Sequence, residues 1–388
     1  MKLASAMAGR SFATVFKPFR AFEQEIRARA AIIFIATFIG PLIALAFAPL
    51  PAMALPASSV APAFIAAPST PQVVADESKA LGRWLQQMHA AARTRSYTGV
   101  FVIHSGSSMS SAKITHVAQG GQQAERVETL TGAPRIIYRH NNQVITFLPQ
   151  QKTMRRETRD SIGLFPGLVQ APDSQIGDFY QLRPDGNERV AGVEADKVVL
   201  LPRDNLRFGY RIWAERKSAL VVKLQTIDSE GNVLEQAAFS QLQMDAGISL
   251  PALQKQMGQV QGWKVAEEAG PALVKTTANA EGWMLKTPVP GFESTAAYKR
   301  AMGDTLSPSK ALEPAAPFQW VFSDGMASVS IFIEPLAPSQ PLANRAAAGA
   351  SVGATQTWSQ PLGNFALTLM GEVPLATLRL FADSIRRQ

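Results

Sequence analysis

Residues 207–213 read Arg207-Phe208-Gly209-Tyr210-Arg211-Ile212-Trp213. Phe208, Tyr210 and Ile212 point one way and Arg207, Gly209 and Arg211 the other, the period of a strand with one buried and one wetted face. The run has neighbours on both sides. Further strands are expected at 179–183, 195–202, 220–228 and 233–244, and before them at 97–105, 112–119, 124–130, 134–140, 144–148 and 153–157. Gly106, Gly120-Gly121, Gly132 and Asn141-Asn142 punctuate them at hairpin spacing. Ahead of the strands, Leu81, Trp84, Leu85, Met88 and Ala92 form one stripe of an amphipathic helix beginning near Ser78 and ending near Arg95. Such a stripe needs a sheet to cover. The fold class is therefore α+β: a strongly curved antiparallel sheet, an open or half-closed barrel, enclosing helices.

Working outward, the connection 159–177 contains Ile162-Gly163-Leu164-Phe165-Pro166-Gly167-Leu168-Val169. A plug completing the core is one reading; a lid over a lipid-sized pocket is the other. In the second reading Ile162, Leu164, Phe165, Leu168 and Val169 touch the ligand. The curved-sheet domain spans 76–247, a linker 248–261, and a smaller C-terminal α/β domain 262–388. In the latter, elements are expected at 262–267, 272–277, 319–322, 327–334 and 364–370, with the Ala/Gly/Ser-rich stretch 343–355 as a mobile loop. Pro374 opens a closing helix whose face is Leu375, Leu378, Phe381, Ala382 and Ile385, with Arg386-Arg387 at the negative end of its dipole.

The N-terminal end reads as an address. Six Lys/Arg against two Glu in residues 1–29 precede the apolar run 30–47, and Ala52-Met53-Ala54 puts small residues where a signal peptidase reads. Residues 1–54 are expected to be a signal peptide, 55–75 an Ala/Pro-rich spacer, and the mature chain secreted. An uncleaved anchor is the alternative, since the run approaches the ~20 residues that span a bilayer. Of the formal charge of +8, about half lies in this segment, leaving +4 on the mature chain. Lys152, Arg155, Arg156 and Arg159 form no long basic helix, so nucleic acid is not expected as a partner.

Enzyme chemistry finds little to stand on. The 388 residues include no cysteine and four histidines without close ligand spacing, so no metal or other cofactor is expected. His104 and His116 sit in adjacent expected strands and could face one another, a poor metal site. The serines of 105–111 lack a Gly-x-Ser-x-Gly elbow and read as a hairpin tip. No Walker loop or Gly-x-Gly-x-x-Gly occurs.

Particular strings are more informative. Arg139-His140-Asn141-Asn142, 149–157 (Pro-Gln-Gln-Lys-Thr-Met-Arg-Arg-Glu), 207–213, Leu234-Glu235-Gln236, Val321-Phe322-Ser323-Asp324-Gly325-Met326-Ala327 and Gly371-Glu372-Val373-Pro374 resemble, in that order, the MucB/RseB family of periplasmic regulators of the sigma-E envelope-stress response. The resemblance implies a lipoprotein-carrier-like first domain and a second domain. It also implies binding of the periplasmic region of an anti-sigma factor, which is shielded from proteolysis and released on lipid, lipoprotein or lipopolysaccharide signals. The anti-sigma contact is expected on the second domain, with Trp320, Phe322, Asp324 and Met326 as candidates. A plain Asp-Gly hairpin turn is the competing reading of that segment. A homo-oligomeric form is left open, and a lipid or lipoprotein carrier is the alternative function. Carriers of that kind stop after one domain; this chain continues for some 140 residues past Gly247.

Overall fold

The computed structural model describes residues 71–158, 176–265, 273–300, 317–336 and 347–388. Helix α1 (Pro71–Thr94) leads into β1 (Tyr97–Ser105), β2 (Ser108–Gln119), β3 (Gln122–Thr129), β4 (Ile136–His140), β5 (Gln143–Leu148) and β6 (Thr153–Thr158). The one-turn helix α2 (Ile176–Phe179) precedes β7 (Tyr180–Val190), β8 (Val193–Pro202), β9 (Gly209–Glu215), β10 (Val221–Ile227) and β11 (Val233–Met244). Each strand pairs with its chain neighbour, as short hairpin connections dictate. One long-range pairing, Tyr97↔Met244 through Ser105↔Glu235, joins β1 to β11 and fuses two meanders into one sheet. The order is β12-β6-β5-β4-β3-β2-β1-β11-β10-β9-β8-β7, a large curved sheet whose ends do not meet.

Helix α1 lays Leu81, Leu85 and Met88 on Val198, Leu200, Tyr210, Ile212 and Leu224, so the stripe and the alternation find each other. The expected wet face of β9 is not wet. Trp213 is 2% exposed, donates to Glu188 at 3.0 Å and lies under the Lys197 and Lys223 ammoniums at 5.4 and 4.1 Å. Lysine stems shield an indole while their charges stay in water.

Three expected boundaries shift. Pro71–Ala75, assigned to the spacer, are the first turn of α1, where proline's missing N–H costs no hydrogen bond. The stretch 248–261 holds helix α3 (Leu250–Met257), which covers the outer face of the sheet with Leu250 and Leu253 on Val117 and Ala124, and Met257 on Tyr138 and Phe147. Beyond it β12 (Lys264–Val265), expected in the second domain, pairs parallel with β6 of the first sheet.

The second domain comprises β13 (Leu273–Lys275), β14 (Trp283–Leu285), β15 (Glu293–Arg300), β16 (Phe318–Ser323), β17 (Ser328–Pro335), β18 (Ala348–Val352), β19 (Thr355–Leu362), β20 (Phe365–Gly371), helix α4 (Leu375–Ser384) and β21 (Ile385–Arg387). Its sheet runs β13-β15-β16-β17-β20-β19-β18, with β14–β21 a separate ribbon. Leu378, Phe381 and Ala382 of α4 pack on Trp283, Phe292, Trp320 and Phe322. The expected loop at 343–355 contains β18, turning through Gly353 (φ +59°) into β19. The closing helix stops at Ser384. Ile385 is extended (φ −69°, ψ 131°), and Arg386 and Arg387 pair with Met284 and Trp283 rather than capping a helix dipole.

Candidate functional site

The two domains meet along a buried polar seam, which starts at the β16–β17 turn. Asp324 Oδ1 accepts the backbone N–H groups of Met326 (2.9 Å) and Ala327 (2.7 Å), tying the turn to itself. That leaves Oδ2 for the first domain, where it accepts Arg207 Nε at 2.6 Å and the Tyr180 hydroxyl at 3.2 Å. Both members of the ion pair have fully buried side chains. The remaining guanidinium nitrogens of Arg207 donate to Asp204 and to the Pro290 carbonyl, at 2.7 Å for the latter. Its flat faces stack over Phe179 (4.2 Å) and Phe292 (4.7 Å), one ring from each domain. Gly291, at φ +75°, must be glycine: a Cβ there would lie 2.2 Å from Arg207 Nη2. All three guanidinium nitrogens are thus engaged, and both flat faces are covered.

Apolar groups cross the seam too. Met326 completes the first domain's cluster around Leu81, Leu85 and Tyr210. In return Leu206 packs on the second domain's core, and its carbonyl accepts Thr377 Oγ1 at 2.9 Å.

Farther along, the tip of the β18–β19 hairpin rests on the ends of β1 and β11. Ser105 Oγ donates to Glu235 Oε2 at 2.8 Å, and a Cβ on Gly353 would meet Ser105 Oγ at 2.0 Å. Glu235 also accepts the Ala354 backbone N–H; burial pushes its carboxyl up against the pull of these donors. Glu372, between β20 and α4, is buried and faces Glu235; burial first and Glu235 second hold its carboxyl well above the usual range. Burial likewise raises the Tyr180 and Tyr210 hydroxyls, with Asp324 adding to both.

A second buried charge cluster lies inside the first sheet. Tyr97, His116, Glu125 and Arg139 occupy paired positions on β1 to β4. Arg139 donates to Glu125 at 2.9 Å, and His116 stacks on Tyr97 with centroids 5.3 Å apart. His104 and His116 do not face each other: His104 pairs with Met109 and His116 with Tyr97. Among the described residues no group of three or more His, Asp or Glu could hold a metal ion.

Of the residues expected to bind, Ile162, Leu164, Phe165, Leu168 and Val169 lie outside the described residues. Trp320, Phe322, Asp324 and Met326 are all buried, between 3% and 7% exposed. Trp320 and Phe322 build the second domain's core, Trp320 donating its indole N–H to Ser294 at 2.7 Å; Asp324 and Met326 build the seam. None offers an exposed anchor to a partner. Their alternation at i, i+2 on a strand marks a core face as readily as a contact face. The residues that sequence reasoning did not single out are Tyr180, Arg207, Tyr210, Glu235 and Glu372. Four of these five stand in the strings that carried the resemblance, and the strings at 207–213, 234–236, 321–327 and 371–374 converge on this seam.

Residues 80–259 match the MucB/RseB N-terminal domain and residues 277–386 the MucB/RseB C-terminal domain. The chain belongs to the MucB/RseB family. Among its relatives, the sigma factor AlgU regulatory protein MucB of Pseudomonas aeruginosa is 30% identical over 307 residues, covering 78% of this chain and 90% of that protein. The sigma-E factor regulatory protein RseB of Escherichia coli is 21% identical over 319 residues, 80% of this chain and 92% of that one. A crystal structure of MucB in complex with MucA(peri) superimposes with a TM-score of 0.59 at 26% identity, covering 79% of this chain and 98% of that chain. The relatives of this MucB/RseB chain are thus regulatory proteins by name, and its two domains are those of a protein solved with a partner bound.

Proposed function

We propose that this MucB/RseB protein is a non-enzymatic periplasmic regulator. It binds the periplasmic region of a sigma-E anti-sigma factor, shields it from regulated proteolysis, and releases it on binding lipid, lipoprotein or lipopolysaccharide. The observation that carries the reading is that MucB, the partner-bound relative, is matched along 98% of its structure, both domains included. Secretion follows from the charged and apolar leader and its Ala-x-Ala end.

The anti-sigma contact is assigned to the second domain, with Trp320, Phe322, Asp324 and Met326 shaping it from beneath. The apolar stretch carrying Ile162, Leu164, Phe165, Leu168 and Val169 is assigned to the acyl chain. The energetics suffice: burying a dozen methylenes yields on the order of 10 kcal/mol, and inverting a two-state equilibrium needs only about 5.5 kcal/mol of differential affinity. The test is a pull-down of residues 55–388 with the periplasmic segment of the anti-sigma factor, with and without lipopolysaccharide or an acylated peptide. Binding weakened by lipid supports the regulator. No binding, with lipid co-purifying, transfers the function to a carrier.

A further inference from the structure

Glu372 has no role in the interactions that hold the seam. Its Oε2 is buried and has no hydrogen-bond partner among the described residues. The groups facing it belong to the first domain: Glu235 on β11 and Tyr210 on β9. The seam's cation, Arg207, is engaged by Asp324, Asp204 and the Pro290 carbonyl. A buried carboxylate with a second carboxylate for a neighbour cannot stay ionised cheaply. Because Glu235 and Tyr210 come from across the seam, their share of the environment that disfavours charge on Glu372 exists only while the domains are docked.

We infer that Glu372 is a proton-dependent latch between the domains: docked, it is held as the neutral acid; when the domains part it ionises, so that rising pH loosens the seam. Burial, then Glu235, holds its carboxyl well above the usual range, which agrees with this. The sign follows from proton counting. Between the ordinary carboxyl value of about 4.3 and the docked value, the docked state binds one more proton than the parted state. The docking equilibrium therefore falls about tenfold for each pH unit across that window. Nearby charges do not reverse it, since Glu235 adds repulsion and the Arg207–Asp324 pair is internally neutral.

The test is amide hydrogen exchange on the whole chain without partner or lipid, comparing the parent with Glu372→Gln at the same pH so that the intrinsic exchange rate cancels. At Ala354 and Ala327, whose N–H groups cross or brace the seam, the parent-to-variant ratio of exchange rates is expected to climb about tenfold per pH unit above about pH 5. At Trp213, deep in the first domain, it should stay level. A flat ratio at Ala354 and Ala327 overturns the latch. Should Glu372→Gln fail to fold, Glu235→Gln serves: the parent's rise in exchange at Ala327 should then end at a lower pH, because the opposing charge is gone, and an unchanged profile overturns the proposal.

Discussion

Replacing Arg207 by Met keeps an unbranched stem between Phe179 and Phe292 but removes the cation that Asp324 depends on. Asp324 Oδ2 is then left with the Tyr180 hydroxyl alone, at 3.2 Å, in a site with no solvent access. Stranding one charge of a buried pair costs about 3–5 kcal/mol. With a urea dependence of roughly 2–3 kcal/mol/M, the unfolding midpoint of the variant should fall by roughly 1–2.5 M. The measurement is urea unfolding followed by circular dichroism and tryptophan fluorescence. Adding Asp324→Asn removes the stranded charge while retaining an oxygen for the Met326 and Ala327 amides, so the double variant should be more stable than the sum of the single losses by about 0.5–3 kcal/mol. An Arg207→Met midpoint within about 0.3 M of the parent, or strictly additive losses, would refute the view that this pair fastens the domains.

Three further outcomes are expected. Gly353→Ala places a methyl where Ser105 Oγ stands and forces a β-carbon into φ +59°, so it should lift the hairpin tip by about 1–2 kcal/mol; faster exchange of the Ala354 amide checks it. For Glu125, burial opposes ionisation, but Arg139 and His116 prevail and hold the carboxyl below its usual value. The stability it contributes is therefore present above about pH 4.5 and lost as pH falls through the lowered value; urea midpoints measured from pH 6 to 3 should drop for the parent and lack that component in Glu125→Gln, and parallel curves would count against it. Leu164→Asp should weaken acyl-ligand binding at least tenfold, a charge in an apolar contact costing well over 1.4 kcal/mol; unchanged lipid binding dismisses that segment as the contact.

The sheet was legible because its strands announce themselves locally. Turn glycines and period-two alternation mark the strands β1 to β11, although β7 runs on to Val190, past the expected end at 183, and helix α1 showed its stripe. Elements without that chemistry went unseen. Strand β18 is Ala-Gly-Ala-Ser-Val, nearly devoid of the branched and aromatic residues that mark strands, and its pairing with β19 is what makes it one. Helix α3 was hidden behind Gly247 and Gly258, and β15 carries a bulge between Ser294 and Ala296 that breaks the alternation. The seam was hardest to read. Arg207 alternates like a solvent-facing residue and Glu372 looks like an ordinary turn acid. What buries them is a surface more than a hundred residues away in the chain, which no window of sequence contains.

The exchange of Met326 for Leu206 across the seam has a consequence for inheritance. Neither core is complete within its own segment: the first lacks a side chain that only the β16–β17 turn supplies, and the second leans on a residue just ahead of β9. A second domain transplanted from a relative would need a side chain of methionine's bulk at that turn, with an acid two positions before it. The halves are bound to descend together, and a fragment of either is a different molecule from the half it was cut from.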